Sequence, residues 1–183
     1  MNQNINQLAH ELVQTHIQPH HVCLDATCGN GHDTVFLANL AKSVDAIDIQ
    51  AKAIQTTKAR LSTLGLDNVT FHHASHDQLV LLFDPSKRFD IVMYNLGYLP
   101  SSDHSIITTP TSTVSSLRQV LSFLHPGGLI AMTLYIGHEG GQEEANAVER
   151  FLTQLDKHDY TIQKTTYLNR KESPYLIAIQ KIK

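Results

Sequence analysis

Apolar residues Ile5, Leu8, Leu12 and Val13 recur at helical spacing and Pro19 closes the segment, so residues 5–16 are predicted to form a leading helix. The apolar run 21–25 then passes through a glycine-containing loop into a second helical pattern carrying Phe36, Leu37 and Leu40. The same rhythm continues down the chain. Strands are expected at 43–49, 69–73, 89–94 and 129–135, and helices at 51–64, around 78–83, at 113–124 and at 143–158, with breaks at Gly65 and at HPGG, 125–128. Two last strands, 160–168 and 175–181, are joined by NRKESP, 169–174, which is too short for a helical crossover, so they should pair antiparallel. Strands alternating with helices imply an α/β fold: a mostly parallel seven-stranded sheet with an antiparallel last strand and helices on both faces. No repeat or linker interrupts it, and residues 1–183 are read as one domain.

Composition adds limits. Hydrophobic residues at 42% and charged residues at 17% describe an ordinary globular chain without long disorder. No apolar run approaches the length of a membrane span, and the start MNQNINQLAHEL lacks a signal-peptide pattern, so no membrane association and a cytoplasmic location are expected. Cys23 and Cys28 are then read as thiols. His20, His21, Cys23 and Cys28 crowd together, but successive strand residues point to opposite faces and no Cys-x-x-Cys pair exists, so no metal site is expected; His72 and His73 are read as strand-end residues. The net charge of −3 is unevenly spread, with 7 Lys+Arg against 14 Asp+Glu up to Glu149 and 7 against 3 from Arg150 onward. That basic tail fits either a nucleic-acid contact or a solvated helix face and edge strand.

The chemistry begins at VCLDATCGNGHDT, 22–34, where Gly29 and Gly31 sit at the turn from first strand to helix and permit close backbone approach to a ligand. Asp48, at the end of the second strand in AIDIQ, is spaced to accept both hydroxyls of a ribose; its alternative is a cap for the helix from Ala51. A dinucleotide site wants a third glycine where Thr34 stands, whereas Asp25 within the strand suits a cofactor with an amino-acid end, by contact or by ordering the loop. The acid followed by Gly-x-Gly resembles the first motif of class I S-adenosylmethionine-dependent methyltransferases. That resemblance implies a Rossmann-like methyltransferase fold, S-adenosyl-L-methionine as cofactor, and a binding set of Asp25, Cys28, Gly29, Asn30, Gly31, His32, Asp33, Thr34, Asp48, Ile49, Gln50, Ser75, His76 and Asn95. Asp77 beside His76 is either a cofactor contact or a helix cap.

FDIVMYNLGYLP, 89–100, ends a buried strand with Asn95. Its carbonyl and the following backbone carbonyl could hold an amine while Tyr98 offers a face to a base; the alternative is a turn using Asn95 and Gly97. The arrangement resembles the Asn-Pro-Pro-Tyr motif of amino-directed methyltransferases at its first and fourth positions. Together, DATCGNG, NLGYLP, Asp103, Thr108-x-Pro110, Thr113 and GHEGG, 137–141, resemble one narrow family labelled rRNA methylases, from about residue 15 onward, with Ser101 and Ser102 standing where that family often has glycine. Its characterised members methylate the aminomethyl group of 5-aminomethyl-2-thiouridine at the tRNA wobble position. The resemblance implies catalytic roles for Asn95, Tyr98, Asp103 and His138, with His104 and Tyr135 as further candidates to orient the amine or take its proton; His138 could instead cap the helix that follows. Tyr98, Tyr135, Arg170 and Lys171 are the expected RNA contacts, beside Lys164, Tyr167, Lys181 and Lys183, and the partner is the tRNA anticodon arm. A homodimer stays open. So do methylation of rRNA or of a small amine and, from another class, a non-catalytic nucleoside-binding module.

Overall fold

The computed structural model describes residues 4–96 and 108–183. Its elements run α1 (Ile5–Gln14), β1 (Val22–Asp25), α2 (His32–Ala38), β2 (Ser43–Asp48), α3 (Ala51–Leu64), β3 (Val69–His73), α4 (Leu79–Leu82), β4 (Phe89–Leu96), α5 (Pro110–Phe123), β5 (Leu124–Leu134), α6 (Gly141–Leu152), β6 (Tyr160–Thr165) and β7 (Tyr175–Lys181). The sheet order is β3-β2-β1-β4-β5-β7-β6. β1 to β5 are mutually parallel, and β7 pairs antiparallel with both β5 and β6, as the short β6–β7 connection requires.

β4 shows why the sheet is buried on both faces. Its apolar run 91–94, with Leu96 beyond Asn95, puts Val92, Tyr94 and Leu96 into a core with Leu117 and Val120 of α5 and Val148 of α6, while Ile91 and Met93 join a second core with Ile5, Ala9 and Val13 of α1. Each fully buried aliphatic side chain contributes about 1.5–3 kcal/mol of transfer free energy. α1 packs through a stripe at spacing four, Ile5, Ala9 and Val13, and starts at a reciprocal cap between Asn4 and Gln7.

Several boundaries differ from the sequence expectation. α5 begins at Pro110 and not at 113, because Thr109 and Ser112 cap each other and proline fits the first helical position. β5 begins at Leu124 and not at 129, its first residue pairing with Phe89 across an irregularity in register. α6 starts earlier, at Gly141, and stops at Leu152 and not at 158; the Asp156 carbonyl instead accepts the Asp159 and Tyr160 amides in a turn. β4 extends to Leu96, β6 ends at Thr165 and α1 at Gln14. His72 and His73 hold strand ends together, on Asp45 at 2.7 Å and on the Ile49 carbonyl at 2.9 Å. Among the described residues no helix is long and apolar enough to cross a membrane, and no group of three or more His, Cys, Asp or Glu could hold a metal ion.

Candidate active site

Strand order reverses direction between β1 and β4, and in a sheet of this kind ligands lie in the crevice beyond the carboxyl ends of the strands at that point. A cavity of about 560 Å³ is found there. The sheet order arranges its lining: Ser75 and His76 follow β3, Asp48, Ile49 and Gln50 end β2, residues 26–30 with His32 and Asp33 follow β1, Asn95 and Leu96 end β4, and Tyr135 follows β5. Asn6 of α1 and Thr108, Thr109 and Ser112 at the start of α5 complete the wall.

The β1–α2 loop is held from behind. Gly29 (φ 50°) and Gly31 (φ 80°) adopt the left-handed conformation that favours glycine, and a Cβ on Gly31 would sit 2.6 Å from the Thr57 side chain. Thr57 Oγ1 in turn donates to the Gly29 carbonyl at 3.0 Å. Asp25 is fully buried and accepts from Thr34 Oγ1 at 2.6 Å and from the Thr27 amide at 3.2 Å. Burial, with Asp33 nearby, pushes its carboxyl up to about 8. Asp48 accepts the Gly29 amide on one oxygen and the Gln50 amide on the other, both at 2.8 Å. Burial raises its carboxyl above the ordinary range although both amides pull it down. Burial also raises the thiols, Cys23 to about 12 and Cys28 further, so neither is a thiolate nucleophile at neutral pH.

Asn95 stands where β4 meets the cavity. Its backbone N–H donates to Thr27 Oγ1 at 2.8 Å, and its side-chain amide reaches toward Asp33 Oδ2 at 3.4 Å, while its carbonyl oxygen takes no hydrogen bond from any other of the described residues. Asp33 Oδ1 lies 2.6 Å from His10 Nε2. Tyr135 exchanges hydrogen bonds with Asn6, and burial raises its phenol. Across the cavity, Ser116 donates to the His76 carbonyl at 2.7 Å and fixes that turn. The His76 ring is 9% exposed, and its buried Nε2 has no hydrogen-bond partner among the described residues. Burial lowers its basicity, so the imidazole at this side of the cavity is neutral at pH 7.

Of the residues expected at the cofactor, Cys28, Gly29, Asn30, His32, Asp33, Asp48, Ile49, Gln50, Ser75, His76 and Asn95 line the cavity, as does Tyr135. Asp25, Gly31 and Thr34 do not; they lie behind the loop and shape it. His138 is also off the cavity, its Nδ1 bonded to the Glu139 carbonyl at 2.9 Å, and α6 is capped by Gly140. Asp48 and Asp77 are not helix caps, since Gln50 and Gln78 occupy those positions. Gly97, Tyr98, Asp103 and His104 lie outside the described residues. Lys164 pairs with Glu149 at 2.7 Å, and Lys181 donates to the Leu121 and Leu124 carbonyls, so both serve the fold. Sequence reasoning missed Asn6, His10, Thr27 and Ser112. A polar pair four residues apart on α1 was the available signal for the first two, and Thr108 appeared in a motif without a place at the cavity.

The acidic side chains of Asp33 and Asp48 line the cavity, with Asp25 behind the loop and no basic side chain from Lys or Arg among the lining residues, a setting that suits a cation better than the pyrophosphate of a dinucleotide. The Asp48 lone pairs left over from the two amides suit ribose hydroxyls, and Ser75 and His76, after β3, stand where the base of a nucleoside would lie. This donor set fits S-adenosylmethionine, which combines a sulfonium and an ammonium with a nucleoside.

The comparisons agree. The chain is 35% identical over 187 residues to the chloroplastic tRNA (mnm5s2U34)-methyltransferase of Arabidopsis thaliana, covering 96% of this chain and 68% of that protein. A Streptococcus mutans methyltransferase solved in complex with SAH, the demethylated cofactor, superposes with a TM-score of 0.91 at 34% identity, covering 99% of both chains. A Clostridium thermocellum rRNA-methylase structure gives a TM-score of 0.94 at 37% identity over the whole of both chains. Residues 44–181 match the family model described as "Putative rRNA methylase". The chain belongs to this rRNA methylase family and is an S-adenosylmethionine-dependent methyltransferase with a Rossmann-like fold.

Proposed function

We propose that this enzyme transfers a methyl group to the aminomethyl nitrogen of 5-aminomethyl-2-thiouridine at the tRNA wobble position, giving 5-methylaminomethyl-2-thiouridine. The observation that carries the reading is Asn95: a polar side chain ending a buried strand at the cavity wall, its amide nitrogen turned to Asp33 and its carbonyl oxygen unpartnered among the described residues. The relative from Arabidopsis thaliana, whose name specifies this nucleoside, supports the same acceptor. Carbon methylation of a pyrimidine would need a nucleophile to add to the ring first, and both thiols are held protonated by burial.

When bound, S-adenosylmethionine supplies an electrophilic methyl group on a cationic sulfonium. Asp48 and Gln50 would hold its ribose, His76 and Ser75 its base, and residues 27–30 its amino-acid end, with Asp25 and Thr34 setting the shape of that loop. Asn95 Oδ1 accepts one amine N–H and so aims the nitrogen lone pair. Most of the rate then comes from this positioning in a site that excludes water.

The RNA approaches over the end of the sheet that carries the cavity. β6 runs parallel to β5, so the loop carrying Arg170 and Lys171 emerges at that end, beside Gly137 near the Glu172 carbonyl. Arg170 lies 4.3 Å from the centroid of the Tyr167 ring, a preformed cationic and aromatic platform for an unstacked base or a phosphate. The chain acts as one domain on tRNA in the cytoplasm. Incubation of the enzyme and labelled cofactor with an anticodon stem-loop bearing the aminomethyl nucleoside, with rRNA and with small amines is the test. Label confined to the stem-loop is expected, with the methylaminomethyl product seen by nucleoside mass spectrometry; transfer to rRNA alone would replace this reading.

A further inference from the structure

Helix α1 carries a polar pair that packing against the sheet does not require. Ile5, Ala9 and Val13 are buried, while Asn6 and His10, one turn apart, both reach the cavity wall's residues. The His10 ring stacks on Phe36 with centroids 4.0 Å apart and planes within 4°, which fixes the imidazole in place. Its Nε2 meets Asp33 Oδ1 at 2.6 Å, and the other Asp33 oxygen faces the Asn95 amide at 3.4 Å. Asp33 is 7% exposed and lines the cavity, whereas the His10 side chain is 28% exposed. A continuous polar path therefore runs from the acceptor end of the cavity, through Asp33, to solvent at His10.

The geometry points to the Asp33–His10 pair as the route by which the acceptor ammonium loses its proton, with Asp33 the group at the cavity wall and His10 the positioning residue that orients it and opens to water. This rests on the amine reading above. An alkylamine is an ammonium ion in water, and only the neutral form attacks. The ammonium N–H proton passes to the pair, whose charge rises by one, and the nitrogen keeps the bond's electrons as its lone pair. That lone pair forms the N–C bond as the S–C bond breaks, the S–C electrons remaining on sulfur, and the product leaves as a secondary ammonium. The proton leaves the pair for water through the imidazole.

Other described groups serve this step less well. Tyr135 is bonded to Asn6 with its phenol raised by burial, His76 stands at the β3 end, and His138 is turned to the Glu139 carbonyl. The titratable groups facing Asp33 are His10 from α1, Asp25 from β1 and Tyr135 after β5, while neighbouring His32 meets Arg60 at 3.3 Å. Asp25 is fully buried behind the loop and has no path to the acceptor.

The test measures single-turnover transfer to the aminomethyl stem-loop against pH for wild type, Asp33→Asn and His10→Gln, with SAH affinity by calorimetry on the same proteins. At pH 7 Asp33→Asn should slow transfer about 100-fold and His10→Gln about tenfold, with SAH affinity held within about threefold in His10→Gln. Both deficits should shrink as pH rises and the amine loses its proton to solvent. A deficit that is the same at every pH, a loss of SAH affinity in His10→Gln matching its loss of rate, or wild-type rates in both variants would overturn the assignment. Should Asp33→Asn fail to fold, His10→Gln carries the same pH criterion alone. Wild-type protein inactive on the amine would sink both this route and the acceptor reading, whereas active wild type with unaffected variants sinks the route only.

Discussion

Asp48 shows how one carboxylate ties loop shape to ligand binding. Its oxygens accept the Gly29 and Gln50 amides at 2.8 Å, so removing the side chain frees the loop and, on the proposed binding mode, deletes the ribose acceptor. Charged hydrogen bonds contribute about 1.5–3 kcal/mol, so Asp48→Ala should weaken SAH binding by about 10- to 100-fold in calorimetry. Asp25 has a different consequence. Burial lifts its carboxyl to about 8, well above the ordinary carboxylate range of about 4, so the native state holds this proton more tightly than the unfolded chain between those limits. Its contribution to stability is therefore fully present below about 4, is lost as pH rises toward about 8, and changes no further above that. The melting temperature of the ligand-free wild type should accordingly fall relative to that of Asp25→Asn between pH 5 and 8; parallel curves would contradict the burial argument.

At the scale of elements, the turn between β1 and α2 depends on Gly31, whose φ of 80° and whose approach to Thr57 leave no room for a side chain. The left-handed conformation alone costs a non-glycine residue about 1–2 kcal/mol, so Gly31→Ala should lower unfolding free energy by at least that much in urea titration. Adding Thr57→Ala should recover part of the loss, because the nearest atoms at 2.6 Å belong to the Thr57 side chain. The turn was readable from DATCGNGHDT because glycine placement is a local steric matter. The start of α5 is misplaced by the sequence reading for a related reason: Thr109 and Ser112 cap each other through hydroxyls, a signal weaker than the apolar periodicity that begins at Val114. Helix α1 was read for its apolar stripe, and the opposite use of Asn6 and His10 left no mark on that periodicity.

Across the whole molecule, the basic C-terminal stretch divides into two populations. Lys164 and Lys181 are tied to Glu149 and to main-chain carbonyls, while Arg170 and Lys171 stay exposed on the loop that shares an end of the sheet with the cavity. Replacing Arg170 and Lys171 together by alanine should weaken tRNA binding and reduce its log–log salt slope by about 1 to 2, as expected for the loss of two phosphate contacts. Lys181→Ala should instead lower stability and leave that slope unchanged. Charge counting cannot make this separation, because it depends on which cations the fold has already paired.

The amino-acid sequence by itself determined the alternating sheet and helices, the glycine turn, the acid ending β2 and Asn95 ending β4, since each follows from periodicity or from spacing within one strand–turn–helix unit. Only the tertiary structure decided which of these residues face the cavity and which stand behind it. His10 and Asp33 are 23 residues apart in the chain, and Asn6 and Tyr135 are 129 apart. Their meeting is set by the order of strands in the sheet and by α1 packing against β5 and β7, and side-chain periodicity along a single element carries no information about either.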